Sequence, residues 1–381
     1  MHVLVLPSFY PNEADPISGS FVREQALALG SKGITTGVVA AQLRSLRQIA
    51  SPKSKDRGWH EDGPLTCLHA CNIGIPGKLL SVRARQYRRL AQRLCTSYID
   101  KQGKPDVLHA HDVFNAGIFT ADYGRKNGIA TVLTLHSSGW LRSPNSAAIE
   151  HLKHALNGVD TVIAVSPALA QAVADLSGTP IERIKVVGNL ISSEHPGVSS
   201  GKTPARRWVS VGALAPNKGH LELVRAFAKA FGGGEETSLR IIGEGPQRPI
   251  IQAEIERLGL HRCVTLDGAL PRKAVFDALS DADAFVLATA FETFGLSILE
   301  ALAAGLPVVS TRCGGPESFV GGDDGRLTRP GDHEELCEAL RYVAEQTWDR
   351  DAIAARAHER FSAGAVVGQL RSLYGELVAG V

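Results

Sequence analysis

Short apolar runs alternate with amphipathic stretches along this chain, and the alternation runs twice. VLVLP (3–7) reads as a buried strand, FVREQALALGSKG (21–33) as a helix closed by Gly33, and TTGVVAA (35–41) as the next strand. VLHAH (107–111), a helix near 115–127, ATVLTLH (130–136), a helix around 146–158, DTVIAVS (160–166), a helix at 167–176 and IKVVGN (184–189) extend the series. Parallel strands need crossover helices, so this order predicts a parallel sheet covered on both faces. The polar stretch ISSEHPGVSSGKTPARR (191–207) reads as a linker. The alternation then restarts with RWVSVGAL (207–214), a helix at 219–231, SLRIIGEG (238–245), CVTLDGAL (263–270), AFVLATA (284–290) and PVVSTRC (307–313). A last helix is expected near 364–379. At 381 residues the chain is long for one core, and two doubly wound halves are expected.

Composition removes some alternatives. A net charge of +2 gives no argument for a nucleic-acid partner. The six cysteines form no CxxC pair and read as free thiols in a reducing compartment. MHVLVLPSFYP lacks the basic segment and apolar length of a signal peptide, and no run approaches the roughly 18 apolar residues of a membrane span. A cytoplasmic protein is expected, with any membrane contact peripheral.

Doubly wound sheets bind ligands beyond the carboxyl ends of their strands. FETFGLSILEALAAGLPVVS (291–310) lies at such an end and carries two glutamates, Glu292 and Glu300, in apolar, Gly-rich surroundings. SILEALAA predicts a helix beginning near Thr293 to Gly295 and stopped by Gly305. The amides of Phe294, Gly295 and Leu296 would then be unpaired at a helix start, where free N–H groups and the helix dipole attract phosphate. Carboxylates repel phosphate but accept hydrogen bonds from sugar hydroxyls. Glutamates on either side of an anion site fit a nucleotide sugar. On spacing alone, solvated or capping glutamates fit as well.

E-TFGLSIL-E followed by ALAAGLPVVSTRCGGPE resembles the signature of retaining glycosyltransferases of GT-B fold, family 4. The resemblance implies that Glu300 binds the nucleotide ribose, and that Glu292 with the amides of Phe294, Gly295 and Leu296 holds the donor sugar and diphosphate. In VSVGALAPNKGH (209–220) a loop leaves a strand and Lys218–Gly219 opens a helix. Lys218 matches the family's phosphate-binding lysine, a cation for the charge that grows on a leaving nucleotide. Many family members carry Arg where this chain has Ala213. In YPNEADPISGSFVREQ (10–25), Gly19 resembles the glycine of the family's first strand–helix loop. Among the histidines at strand ends, His136 in TLHSSGW matches a family histidine near the donor sugar, and His111 is an acceptor-side candidate.

Other motifs read as structural. HAH (109–111) and HLKH (151–154) have metal-ligand spacing, but HExxH and further ligands are missing. DAD (281–283) imitates a metal-binding DxD, and GEGP (243–246) part of a dinucleotide fingerprint. GGPE (314–317) is expected to shape the donor pocket. KLLSVRARQYRRLAQRLCTSYI (78–99) has Leu79, Val82, Gln86, Leu90, Leu94 and Tyr98 on one helical side and five arginines over the rest. It fits a core-packed helix with a solvated basic face, or a helix lying on an anionic bilayer.

The expected fold class is therefore α/β, of GT-B type: two Rossmann-like doubly wound domains facing a central cleft. The resemblance implies that residues 1–196 plus 364–381 form the acceptor-side domain and 197–363 the nucleotide-sugar domain. The resemblance implies retaining glycosyl transfer from a UDP- or GDP-linked sugar to a hydroxyl acceptor such as a lipid-linked saccharide. The family setting is bacterial surface polysaccharide or glycolipid assembly at the inner face of the membrane. No metal and no cofactor are expected, with the nucleotide sugar as co-substrate. A GT-B sugar-nucleotide epimerase and a non-catalytic sugar-nucleotide-binding protein are the rival readings.

Overall fold

The computed structural model describes residues 1–12, 15–44, 58–74, 80–136, 145–195, 197–198, 204–232 and 236–380. Leu79 of the basic helix, residues 137–140 after His136 and residues 199–203 of the linker lie outside the described residues. The chain divides into two compact units, Met1–Leu190 with Ala363–Val381, and Ile191–Ser362.

In the first unit, strands β1 (His2–Pro7), β2 (Thr35–Arg44), β3 (Gly58–Asp62), β4 (Leu65–Ile73), β5 (Val107–His111), β6 (Ala130–Leu135), β7 (Thr161–Ala164) and β8 (Ile184–Val186) form one sheet. Its order is β3-β4-β2-β1-β5-β6-β7-β8. All neighbours are parallel except β3 and β4. Helices α1 (Ser20–Ser31), α2 (Leu80–Gln102), α3 (Ile118–Asn127), α4 (Ser146–Gly158) and α5 (Pro167–Ser177) supply crossovers. Local chemistry fixes their starts. Asn145 accepts from the amide of Ala148, and Ser166 from that of Leu169, with Pro167 opening the helix. Such caps are worth about 1 kcal/mol each.

The β3–β4 hairpin is not anticipated by the strand–helix alternation. Its signal is the Asp62–Gly63 turn, with Gly63 at φ 59°. Strand β4, LTCLHACNI, hides its nature by burying His69 and Cys67 among small residues.

The second unit has β9 (Arg207–Val211), β10 (Ser238–Ile242), β11 (Val264–Gly268), β12 (Ala284–Leu287), β13 (Val308–Thr311) and β14 (Gly325–Thr328). Their order is β11-β10-β9-β12-β13-β14, parallel throughout. Helices α6 (His220–Phe231), α7 (Arg248–Arg257), α8 (Arg272–Asp281), α9 (Leu296–Ala303), α10 (His333–Glu345) and α11 (Arg350–Phe361) cover it. Helix α6 buries Leu223, Val224, Ala226 and Phe227, the i, i+1, i+3, i+4 face, in a core shared with Leu336, Leu340 and Val343 of α10. Asp332 and Asp349 cap α10 and α11.

Helix α12 (Ala363–Ala379) follows the second unit in sequence but buries Val366, Val367, Leu370 and Tyr374 in the core of the first.

Helix α2 is core-packed. Tyr87, Leu90, Ala91, Leu94, Cys95 and Tyr98 are buried, while Arg83, Arg85, Arg88, Arg89 and Arg93 are exposed. The buried stripe runs through Tyr87, and Gln86 is only partly covered. Arg88 pairs with Asp122 at 2.8 Å. Tyr98 lies on Gly37, where a Cβ would stand 1.9 Å from its hydroxyl. Among the described residues no helix is long and apolar enough to cross a membrane.

Candidate active site

A doubly wound sheet opens a crevice where strand order reverses. In the second unit that point lies between β9 and β12, since β9 leads through α6 to β10 on one side and pairs with β12 on the other. The β9 connection runs through a tight turn, Pro216–Lys218, to Gly219 at φ 67°. A Cβ on Gly219 would stand 1.9 Å from the carbonyl oxygen of Ala288, just beyond β12. Only glycine allows the two connections to touch there. The carbonyl of Asn217 accepts from the amide of Ala290 at 2.8 Å and from the hydroxyl of Thr289 at 2.9 Å. These bonds fix Lys218 beside the loop that carries Glu292.

Lys218 Nζ donates to Glu292 Oε1, with both side chains largely covered, at 23% and 14% exposure. Glu292 is anchored through its backbone. Its carbonyl accepts from Gly315 at 2.9 Å, and it bridges to Gly314. Glu317 closes the same corner by accepting from the amides of Cys313 at 3.1 Å and Gly314 at 2.8 Å. A Cβ on Gly315 would lie 2.4 Å from the Phe294 oxygen, so GGPE packs directly under the start of α9. Gly243 and Gly245 of GEGP do the same for the loop after β9: Cβ atoms there would meet the oxygens of Gly212 and Leu214 at 1.9 Å and 2.4 Å.

Helix α9 begins at Leu296, after Gly295 at φ 98°. The carbonyl of Gly295 takes the amides of Ile298 and Leu299. Among the described residues, no acceptor meets the amides of Phe294, Gly295 and Leu296. Phe294 is itself buried, against Phe319 and Phe361, so its amide rather than its ring faces the loop chemistry. Glu300 sits further along α9, buried, with Oε1 accepting from Arg272 Nη2 at 2.7 Å. Arg272 carries no sequence signal, since α8 meets α9 only through tertiary packing.

His220 is likewise missing from the sequence reading. It is fully buried, neither ring nitrogen has a partner among the described residues, and burial with the nearby Lys218 charge lowers its pKa to about 4. A neutral imidazole behind Lys218 adds no competing cation. Its unmet donor costs about 1–3 kcal/mol. Ala213 is exposed and brings no charge.

In the first unit the order reverses between β1 and β5. Gly19, at φ 74°, ends the β1 connection with its would-be Cβ 2.3 Å from the Phe9 oxygen, again a glycine-only position. Phe21 follows and packs on His136, ring centroids 4.6 Å apart. His111 Nδ1 and His136 Nε2 share a hydrogen bond of 2.8 Å. His109 stacks on His111 at 4.3 Å and bonds Tyr374 Oη of α12 at 2.6 Å and Thr134 Oγ1 at 2.7 Å. Burial lowers all three histidines, His109 and His136 to about 3 and His111 well below 6.5. They are neutral at physiological pH, so one nitrogen of the His111–His136 pair donates and the other accepts. After β5, Asp112 and Asn115 hold positive φ of 73° and 66°, conformations costing of order 1–3 kcal/mol each and frequent at functional loops.

Thus Lys218, Glu292 and the α9 start converge on one unit, and Gly19, His111 and His136 on the other. The remaining motifs are structural. Asp283 of DAD accepts from the amides of Arg206 and Arg207 and pairs with the Arg207 guanidinium at 2.9 Å. His151 and His154 of HLKH are exposed on α4. Among the described residues no three His, Cys, Asp or Glu side chains are grouped to hold a metal.

Comparison with known proteins bears on this arrangement. Residues 18–195 match the model for Glycosyltransferase Family 4, and residues 205–346 that for Glycosyl transferases group 1. TuaC of Bacillus subtilis (strain 168), a glycosyltransferase assigned to teichuronic acid biosynthesis, is 27% identical over 96% of this chain and 95% of its own. Glycogen synthase of Mycobacterium tuberculosis is 28% identical over 72% of this chain and 68% of its own. Sucrose-phosphate synthase from Thermosynechococcus elongatus superposes with a TM-score of 0.80 over the full length of both chains, at 19% identity. Anabaena Alr3699/HepE, solved in complex with UDP, superposes at 0.71 over 99% of this chain and 100% of its own, at 20% identity.

Proposed function

This chain belongs to the family 4, group 1 glycosyltransferases of GT-B fold, and we propose that it moves a sugar from a nucleotide diphosphate donor to a hydroxyl acceptor with retention at the anomeric carbon. The observation that carries the reading is the meeting of Lys218, Glu292 and the unpaired amides of Phe294, Gly295 and Leu296 at the β9/β12 reversal.

In the proposed reaction the bond between the anomeric carbon and the leaving phosphate oxygen breaks, and one to the acceptor oxygen forms on the same face. The acceptor proton passes to the departing phosphate. Negative charge grows on the diphosphate, where the Lys218 ammonium and the three amides would stabilise it. The three amides are fixed by the backbone of the loop that enters α9, so they need little reorganisation. Glu292 would accept donor-sugar hydroxyls and fix the ring, and Glu300 the ribose hydroxyls. His136, neutral and bonded to His111, would position a sugar or acceptor hydroxyl, with Gly19 leaving room for the ligand. No residue in this scheme calls for a metal, and transfer is expected to survive EDTA.

The acceptor we favour is a lipid-linked saccharide at the inner face of the membrane, in surface polysaccharide assembly. TuaC, named for teichuronic acid biosynthesis and similar over nearly the whole chain, supports the polysaccharide part of that reading. Uridine and guanosine donors are both open to this site.

A thermal-shift screen of nucleotide sugars, followed by transfer assays, tests the proposal. Only true donors should stabilise strongly. Lys218→Ala and Glu292→Ala should each slow transfer by about a hundredfold or more in folded protein. Near-normal turnover in both would remove the site. Donor conversion without any acceptor would favour an epimerase, and tight binding without turnover a binding protein.

A further inference from the structure

Glu300 is only 5% exposed. A carboxylate so placed must be met by a cation and donors, or burial disfavours it by several kcal/mol. Arg272, the first residue of α8, meets it through the 2.7 Å bond to Oε1. The two come from different connections, Arg272 between β11 and β12 and Glu300 after β12. The Arg272 guanidinium also lies over the Phe276 ring, 4.9 Å from its centroid. His195 completes the arrangement from a third segment. Its Nε2 donates to the Glu300 carbonyl at 2.9 Å, and its ring stands edge-on to Phe276 at 5.2 Å. One carboxylate is therefore held at its head by Arg272 and at its backbone by His195, and Phe276 packs against both partners.

We propose that Arg272 is a positioning residue for nucleoside recognition. It holds the Glu300 carboxylate in one orientation, so that it can accept ribose hydroxyls without rearranging. The proposal rests on reading Glu300 as the ribose ligand. A carboxylate offers about four lone-pair directions, so an arginine and a ribose hydroxyl can be accepted together. A planar guanidinium suits the place better than an ammonium, because it can stack on Phe276 while donating. At 30% side-chain exposure Arg272 is open enough to flank the ribose itself.

The test is calorimetric binding to the full chain of UDP and GDP, their 2′,3′-dideoxy counterparts, and inorganic pyrophosphate. Wild-type protein should prefer the ribonucleotide by roughly 10- to 100-fold, the worth of hydrogen bonds to a charged group. Arg272→Met should erase most of that preference and leave pyrophosphate binding unchanged. Arg272→Lys, which keeps the charge and loses the planar fork, should give an intermediate preference and serves if the methionine variant does not fold. Adding Arg272→Met to Glu300→Gln should cost little more than Glu300→Gln alone. Full ribose preference in the Arg272 variants overturns the proposal, as does an equal loss for pyrophosphate, which marks general distortion of the domain. A wild-type protein that binds both nucleotides equally defeats the ribose assignment of Glu300, and Arg272 falls with it.

Discussion

Lys218 and Glu292 are 74 residues apart in sequence and share one hydrogen bond across the connections that follow β9 and β12. The Glu292 carboxylate engages the ammonium proposed to take the donor diphosphate. Glu292 thus has two candidate partners, the Lys218 ammonium and the donor-sugar hydroxyls. Replacing it by glutamine should free Lys218. Glu292→Gln should bind a nucleoside diphosphate about fivefold more tightly, the scale of a partly screened ion pair, while transferring sugar far more slowly. Equal affinity in the two proteins, measured by calorimetry, would mean the pair does not compete with phosphate.

The loop that carries Lys218 depends on Gly219. Its positive φ and the 1.9 Å approach to the Ala288 oxygen leave no room for a side chain. Gly219→Ala should lower stability by about 3 kcal/mol, above the roughly 1 kcal/mol typical of alanine forced into a left-handed position. Gly33→Ala is the matched control, since Gly33 has φ 81° and nothing within 4 Å of its would-be Cβ. Similar thermal unfolding of the two variants would show that the crowding is relieved by loop movement.

Stability should fall on mild acidification. His109 and His136 have folded pKa values near 3, and His111 well below 6.5, against an ordinary value of 6.5. Between those limits the unfolded chain binds more protons, so stability rises with pH and is lost as pH falls from about 6.5 towards 3. Glu254, lowered to about 2 by Arg257 and Arg225, adds its loss only below its usual value of 4.5. Chemical denaturation between pH 6.5 and 5 therefore reads the buried histidines, with His220, lowered to about 4, and the lowered His2 and His195 adding to the cluster. Each should contribute a slope approaching about 1.4 kcal/mol per pH unit, and His109→Gln should remove one such share. An unchanged slope in His109→Gln, or a flat profile in wild type, would contradict neutral burial of the cluster.

The exposed arginines of α2 form a dense basic face on a helix whose other side is packed. Peripheral binding to anionic membranes would use that face, at about 1 kcal/mol per arginine near the surface. Flotation with phosphatidylglycerol vesicles should show binding that weakens with salt and with Arg85→Gln/Arg89→Gln/Arg93→Gln. Binding that ignores both changes, or none at all, would leave α2 a packed helix with solvated charge.

Residues close in sequence were the readable part of this molecule. The strand–helix rhythm follows from apolar runs, and the α9 start from Gly295, SILEALAA and Gly305, all within about three turns of chain. What stayed hidden depends on long-range packing. Arg272 lies 28 residues before Glu300, and Tyr374 reaches His109 across 265. No periodicity encodes either meeting. The basic helix shows an intermediate case. Its amphipathicity is plain, but the buried stripe runs through Tyr87 because an aromatic ring can reach the core where Gln86 remains only partly covered.

The second unit enters at Ile191 and leaves after Phe361, and the amide of Ile191 donates to the carbonyl of Phe361 at 2.8 Å. Its two ends are thus tied to each other, and it interrupts the first unit as a closed cassette. During synthesis the ribosome reaches Ala363 only after the whole cassette has been made. The first sheet must wait, with the pocket for Val366, Leu370 and Tyr374 uncovered and His109 lacking its tyrosine, until α12 arrives. The order of manufacture is therefore inverted at the seam: the half begun first is finished last.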